Sequence, residues 1–159
     1  MKTKVAHLGV LVALALILSY VETWIPINFG IPGIKLGLSN LVVIISIYKY
    51  GFKKSFFLGI TKVLLSNILF GNLSSMVFGL TGMLCSVFLM CILKKTRKFS
   101  VIGISMAGAI AHNLGQIIVA MFIVQSFAII FYLPVLLLSG MITGVLIGIV
   151  ANEIIKRIR

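Results

Sequence analysis

The sequence predicts an all-α membrane protein with six transmembrane helices, and three observations support this fold class. Hydrophobic residues make up 61% of the 159 residues and charged residues only 10%, whereas soluble domains carry about 25% charged residues. Apolar runs long enough to cross a bilayer recur along the chain. Basic residues fall in alternate connections between these runs. We therefore expect one integral membrane domain over residues 1–159.

The six predicted spans follow the apolar runs. Because six spans of about 20 residues require about 120 residues, their connections must be short. The first run ends in SYVETW without a small-residue cleavage pattern, so we expect a span there and not a cleaved signal peptide. The second run is the shortest, and a five-span or re-entrant arrangement stays open at that point. The predicted spans are about 5–25, 36–50, 52–71, 73–93, 100–125 and 131–155.

The basic residues predict the orientation. Twelve of the fourteen Lys and Arg precede span one, follow span six, or lie between spans two and three or four and five. Lys35 and Lys62 are the two exceptions. Cytoplasmic loops are enriched in Lys and Arg, so both termini are predicted to be cytoplasmic in a multi-pass protein of the cell membrane. The net charge of +12 then reflects topology and attraction to the lipid bilayer, and we expect no nucleic-acid partner.

Polar side chains that cost much free energy to place in a membrane concentrate in the predicted outer half of the bundle. Ammonium, imidazole and amide groups inside a membrane need partners, water or a ligand. The inner half holds mainly hydroxyls and thiols, which can bond to their own helix. This distribution predicts a cavity that is open to the outside and closed toward the cytoplasm. The candidate substrate-binding residues are Glu22, Lys35, Asn40, Lys62, His112, Asn113 and Gln116.

Each candidate also has a structural interpretation. Lys62 lies about 10 residues from either end of its span, too far to snorkel fully, so it is paired, neutral or facing a wet cavity. His112, Asn113 and Gln116 are alternatively interhelical hydrogen-bonding groups. Glu22 and Lys35 are alternatively a simple ion pair, and the Gly and Pro residues around Lys35 allow its loop to fold over the cavity mouth.

The residues that catalysis usually needs are scarce, and we expect no enzyme activity, no cofactor and no metal site. The run PGIKLG lacks the phosphate-binding pattern GxxxxGK[ST]. The chain has two acidic residues and no Asp, which excludes an acid-rich magnesium cluster. Cys85 and Cys91 lie in one apolar run and are interpreted as packing residues.

Small residues recur every four positions on three spans, a spacing that allows close approach of helices in a membrane. We expect most of them to pack internally, while one stripe is a candidate docking face for another membrane protein. The stripes are Gly103, Ala107, Ala111 and Gly115 on span five; Gly140, Gly144 and Gly148 on span six; and Gly9 with Ala13, then Ala15 with Ser19, on span one.

Two motifs carry a family resemblance. The run ETWIPINFGIPGIKLGLSNLVVI (22–44), Lys62 and the run GAIAHNLGQ (108–116) together resemble the Gx transporter family. That family is also labelled heptaprenyl diphosphate synthase component I, and it is similar to the S components of energy-coupling factor transporters. The resemblance covers essentially the whole chain.

The resemblance implies an S-component-like bundle that binds a small molecule on the outer side. Its implied partners are a transmembrane T component and two ATPase subunits. Such proteins often dock through small residues of the first helix, here Gly9 with Ala13 or Ala15 with Ser19, although neither is the usual alanine pair. Relatives of this family also appear beside flavin-based extracellular electron transfer systems. They imply an alternative role, as a membrane component of a quinone, isoprenoid or extracellular electron transfer pathway.

Overall fold

The computed structural model describes residues 2–24 and 37–158, with the side chains of 2–5 excepted. Within these ranges all regular structure is helical, and six α-helices are present, which confirms the predicted all-α class. A short 3-10 helix, η1, precedes the last α-helix. The elements are α1 (Lys2–Trp24), α2 (Asn40–Tyr50), α3 (Phe52–Phe70), α4 (Leu73–Thr96), α5 (Val101–Val124), η1 (Phe127–Tyr132) and α6 (Leu133–Arg157).

Four helical stretches are long and apolar enough to cross a bilayer, which indicates an integral membrane protein. Large apolar side chains on their surfaces are exposed, including Val10, Phe88 and Phe122. A soluble protein rarely exposes this much contiguous apolar surface, whereas lipid tails accommodate it. The four stretches are Ala6–Trp24, Leu73–Thr96, Val101–Val124 and Phe127–Arg157.

The short helix α2 lies in the centre of the bundle. Its 11 residues span about 16 Å, much less than the roughly 30 Å of a bilayer core. All residues from Val42 to Ile47 are buried, and α2 packs against α1, α3, α4 and α6. An apolar helix without a polar face is typical of a core position. The described helix begins at Asn40, inside the predicted span 36–50, so its N-terminus lies within the protein.

A single residue, Gly51, separates α2 from α3. Its φ of 79° lies in the left-handed region that favours glycine, and it allows the two helices to form an antiparallel hairpin. The hydroxyl of Ser55 donates a hydrogen bond of 2.9 Å to the hydroxyl of Ser46. Both side chains are fully buried, so this bond joins the two helices inside the core.

Helices α5 and α6 approach closely through the glycine stripe of α6. A Cβ added at Gly144 would lie 2.7 Å from the Cα of Met106, and one added at Gly148 would lie 2.8 Å from the Cα of Ile102. Contacts this short with backbone atoms leave no room for a side chain. The expectation of internal packing is therefore confirmed for this stripe.

The start of α6 differs from the prediction. Gln125, with a φ of 51°, ends α5, and η1 follows before α6 begins at Leu133. A proline in the first turn of α6 favours a new helix start there. The predicted span 131–155 therefore includes the end of a separate 3-10 helix.

Lys94 joins the C-terminal end of α2 to α4. Its ammonium donates hydrogen bonds to the carbonyl oxygens of Ile47, at 2.6 Å, and Tyr48, at 3.4 Å. It also lies 4.8 Å from the centroid of the Tyr48 ring. A cation at a helix C-terminus is stabilised by the helix dipole, and the last carbonyls of a helix lack partners within the helix.

We expect Lys94→Met to lower the free energy of unfolding by about 1.5–3 kcal/mol, the contribution of a hydrogen bond to a charged group. Lys95→Met is the matched control, because Lys95 is the next residue and is exposed. Thermal unfolding of both variants in the same detergent measures the difference. Equal stability of the two variants would show that the Lys94 contacts contribute nothing.

Candidate ligand-binding cavity

A cavity of about 470 Å³, here called the main cavity, lies at the end of the bundle where α1, α3 and α5 finish and α2, α4 and α6 begin. Its volume is within the range of about 300–1,000 Å³ found for small-molecule sites. It is lined by Ser19, Glu22, Thr23, Gly37, Ser39, Asn40, Lys62, Val63, Ser66, Asn67, Phe70, Gly71, Ser75, Phe78, Gly79, His112, Gln116, Ile117, Ala120, Val124, Ile129, Tyr132 and Leu136.

The wall of the main cavity has two chemically different sides. The first three helices and the residues before α2 supply its charged groups and most of its hydroxyls and amides. The part of the wall that comes from α5, η1 and α6 is mainly apolar apart from His112, Gln116 and Tyr132. The arrangement suits an amphipathic molecule whose polar edge faces α1–α3. The apolar side is formed by Ile117, Ala120, Val124, Ile129 and Leu136.

Lys62 lies in the polar side and is held against the start of α2. Its side chain is only 7% exposed, and its Nζ donates a hydrogen bond of 3.0 Å to Oδ1 of Asn40. Asn40 is the first residue of α2, so an ammonium and the positive end of a helix dipole lie side by side. Together they favour an electronegative atom of a ligand at this position.

Glu22 contacts the segment that leads into α2. The backbone N–H of Gly37 donates a short hydrogen bond to Oε1 of Glu22, and Gly37 has a φ of 72°. A residue with a side chain is strained in that conformation, so Gly37 has a structural role at the start of α2, and its bond to Glu22 is a contact that the sequence did not predict. Lys35 lies outside the described residues, and its pairing with Glu22 and its place over the cavity mouth stay predictions.

His112 and Gln116 line the main cavity from α5, one helical turn apart. Space for the imidazole is provided by Gly82 on α4, where an added Cβ would lie 2.9 Å from three ring atoms. The imidazole is therefore packed tightly against α4. Their spacing of four residues puts them on one face of α5, and the structure places that face against the cavity.

Asn113 does not line the main cavity. Its Nδ2 donates a hydrogen bond of 2.6 Å to the backbone oxygen of Leu136 on α6. Gly140 leaves the room for this contact, since an added Cβ would lie 2.7 Å from the same Nδ2. This geometry agrees with the interhelical alternative that the sequence left open for Asn113.

Two cavity residues that were not among the candidates form a polar link between α3 and α4. The hydroxyl of Ser75 donates a hydrogen bond of 2.6 Å to Oδ1 of Asn67, and Nδ2 of Asn67 donates one of 2.8 Å to the backbone oxygen of Val63. Ser75 also takes part in the capping box that starts α4 at Asn72. The spacing N-x-x-S is a sequence signal that could have indicated this helix start.

The four candidate docking residues of α1 fall into two groups. Ala15 is fully buried, and Ser19 lines the main cavity, so this pair faces the interior of the bundle. Gly9 and Ala13 are exposed, and no described atom lies within 4 Å of a Cβ added at Gly9. Of these four residues, only Gly9 and Ala13 are accessible to a partner in the described structure.

The two acidic residues lie at opposite ends of the bundle. Glu153 is near the C-terminal end of α6 and pairs with Lys156 at 2.8 Å, whereas Glu22 is at the main cavity. Within 2–24 and 37–158, no three His, Cys, Asp or Glu side chains come together as metal ligands. The described groups at the cavity can bind a molecule through hydrogen bonds, charge and apolar contact.

Apolar helices around an internal cavity of ligand size define an integral membrane protein with a candidate small-molecule site. The profile of the family described as heptaprenyl diphosphate synthase component I matches residues 11–154, a range that includes every cavity residue. The chain belongs to this family. Comparisons with curated proteins and with solved structures returned no match.

Proposed function

We propose that this protein is the membrane-embedded substrate-binding component (S component) of an energy-coupling-factor-type transporter that takes up a small molecule. The observation that carries the proposal is the main cavity, where the buried ammonium of Lys62 meets the start of α2 inside an otherwise apolar bundle. Ionisable residues inside a membrane mark substrate pathways by default. Helix N-termini near the middle of a membrane face anionic substrate groups in known transporters.

The proposed orientation places both termini in the cytoplasm and the main cavity on the outer side, in a bundle of six spans. It is supported by the exposed basic residues at the opposite end of the bundle, such as Lys53, Lys95, Lys98 and Lys156. Lys and Arg concentrate on the cytoplasmic side of membrane proteins. The short α2 serves as the second span in this topology.

The proposed recognition uses both sides of the cavity. An anionic or carbonyl group of the substrate faces Lys62 and the N-terminal end of α2. Gln116 and His112 orient the substrate by hydrogen bonds, and the apolar wall of α5, η1 and α6 packs against its body. Few polar groups in a mainly apolar site are typical of small-molecule binding.

The proposed role is binding and not catalysis. The sequence contains no Asp, and one of the two Glu residues lies at the far end of the bundle in an ion pair with Lys156. Energy for uptake would come from partners, a transmembrane T component and two ATPase subunits. The exposed pair Gly9 and Ala13 is the proposed contact with the T component, because small residues allow close helix approach.

We expect Gly9→Leu to abolish copurification of the T component and the ATPase subunits while the bundle stays folded. Leucine would block close helix approach at an exposed site that has no neighbour within the described chain. Val150→Leu, at an exposed position of α6, is the control and should keep the partners. Retention of all partners by Gly9→Leu would overturn the docking assignment.

A second candidate function is a membrane component of a quinone, isoprenoid or flavin-based extracellular electron transfer pathway. The family description, which names a component of a prenyl diphosphate synthase, and the apolar wall of the cavity favour it. This function predicts a bound quinone or a flavin-carrying partner, and no association with ATPase subunits.

A further inference from the structure

A second, smaller cavity of about 60 Å³, here called the inner chamber, adjoins the main cavity. Four residues line both spaces: Gly37, Asn40, His112 and Gln116. These shared residues lie at the start of α2 and on α5, so the two spaces have part of their wall in common there. The inner chamber extends the site away from the end of the bundle where the main cavity lies.

The inner chamber reaches deep into the bundle between α4, α5 and α6. On α5 its lining runs from Gln116 to Ser105, a distance of about 16 Å along the helix axis. Ser86 on α4 and Ser105 lie toward its far part, and both are buried, with 5% and 6% exposure. A space with two serine hydroxyls in its far part therefore continues past the level of His112 toward the basic end of the bundle.

The lining of the inner chamber combines apolar side chains with hydroxyl, amide and imidazole groups. Among the described residues that line it there is no Lys, Arg, Asp or Glu. Hydroxyls come from Ser86, Ser105 and Thr143, and amides from Asn40, Asn113 and Gln116. A charged group without a counter-charge pays a large desolvation cost in such a place, whereas a neutral hydrogen-bonding group finds several partners.

The volume of the inner chamber suits water. One ordered water needs about 10–15 Å³ of probe-occupied space and two to four polar partners, and the inner chamber has about 60 Å³. Several waters fit. His112 and Gln116 belong to the wall of both cavities, so exchange with the main cavity requires movement of these side chains and not passage through lipid.

We propose that the inner chamber is a hydrated subsite that takes water or another small uncharged hydrogen-bonding group and excludes ions. It exchanges with solvent through the main cavity and brings water to Ser86 and Ser105. The proposal concerns hydration and charge selection, and it stands whether or not the protein is a transporter component.

The test uses thiols as reporters of water. A thiol reacts as the thiolate, and water beside a tethered sulfur supports a small fraction of that anion even where a free ion, which must shed its hydration shell to enter, is excluded. Ser86→Cys and Ser105→Cys are made separately in a chain without Cys85 and Cys91. Two probes are compared, the small uncharged methyl methanethiosulfonate and its anionic sulfonatoethyl analogue. Intact mass spectrometry measures the rate of modification.

We expect the uncharged probe to modify Ser86→Cys and Ser105→Cys about tenfold faster than the lipid-facing control Leu84→Cys, since a thiol in lipid has no water to support its thiolate. The anionic probe should modify neither chamber thiol. Ser66→Cys, in the main cavity, should react with both probes. Leu84 has an exposed side chain and lies two residues before Ser86 on α4. It is therefore a control at nearly the same position along the helix.

Two results would overturn the proposal. If both chamber thiols react with the uncharged probe as slowly as Leu84→Cys, the chamber is dry. If the anionic probe modifies them as fast as it modifies Ser66→Cys, the chamber does not exclude charge. Two independent reporter positions keep the test decisive if one variant fails to fold.

Discussion

Replacement of Lys62 by Met should remove ligand binding while leaving the bundle folded. Met has a similar length but no charge, so the ammonium that donates to Asn40, and that is proposed to face the ligand, is lost. Truncating one member of a buried charged hydrogen-bonded contact costs about 2 kcal/mol or more, which corresponds to a loss of affinity of about 30-fold or more. Native mass spectrometry of variant and parent, purified in parallel, measures the retained ligand.

The control for this prediction is Lys53→Met on the same helix. Lys53 is exposed at the opposite end of α3, so its loss should leave the retained ligand unchanged. Thermal unfolding of both variants separates loss of binding from loss of fold. Full retention of the ligand by a folded Lys62→Met variant would exclude Lys62 from the binding site.

Gly144→Ala should destabilise the bundle, although it adds a single methyl group. The new Cβ would lie 2.7 Å from the Cα of Met106 and 3.0 Å from the Cβ of Ala109, so α5 and α6 must move apart. Overpacking of this kind costs about 1–3 kcal/mol. The midpoint of thermal unfolding in detergent, or of unfolding by a denaturing detergent, measures the loss.

Gly9→Ala is the matched control, because it makes the same change at an exposed helical glycine. No described atom lies within 4 Å of the added Cβ there, and alanine favours a helix over glycine. Its stability should be unchanged or slightly higher. Equal stability of Gly144→Ala and the parent would mean that α5 and α6 are not packed as closely as described.

The helices were predictable because apolar runs and breaks in them are local signals. The burial of α2 was not predictable, because an apolar run of this length has the same pattern whether lipid or protein surrounds it. The 3-10 helix η1 was also missed. Its apolar residues FAIIFY continue the hydrophobic pattern of α6, and only the conformations of Gln125 and the following residues separate the two.

The cavity was predictable in part, because ionisable groups are costly in a membrane. Glu22, Asn40, Lys62, His112 and Gln116 all line the main cavity, and contact of each with a ligand stays a prediction. Asn113 follows His112 directly and therefore points about 100° away around the helix. The sequence alone could not decide which of the two faces the cavity.

Other parts of the site required the structure because they depend on distant contacts. The hydrogen bond from Gly37 to Glu22 joins residues 15 apart, and the link from Lys62 to Asn40 joins residues 22 apart. Nothing in the local pattern specifies these partners. The inner chamber likewise depends on how α4, α5 and α6 pack.

The central claim is that the main cavity holds a small molecule for uptake by an ATP-driven complex. Native mass spectrometry of the protein, gently solubilised from its own membranes, tests it most directly. The expected result is a retained small molecule together with a T component and two ATPase subunits. A bound quinone or a flavin-carrying partner, without ATPase subunits, would rule out the transporter function and assign the protein to electron transfer.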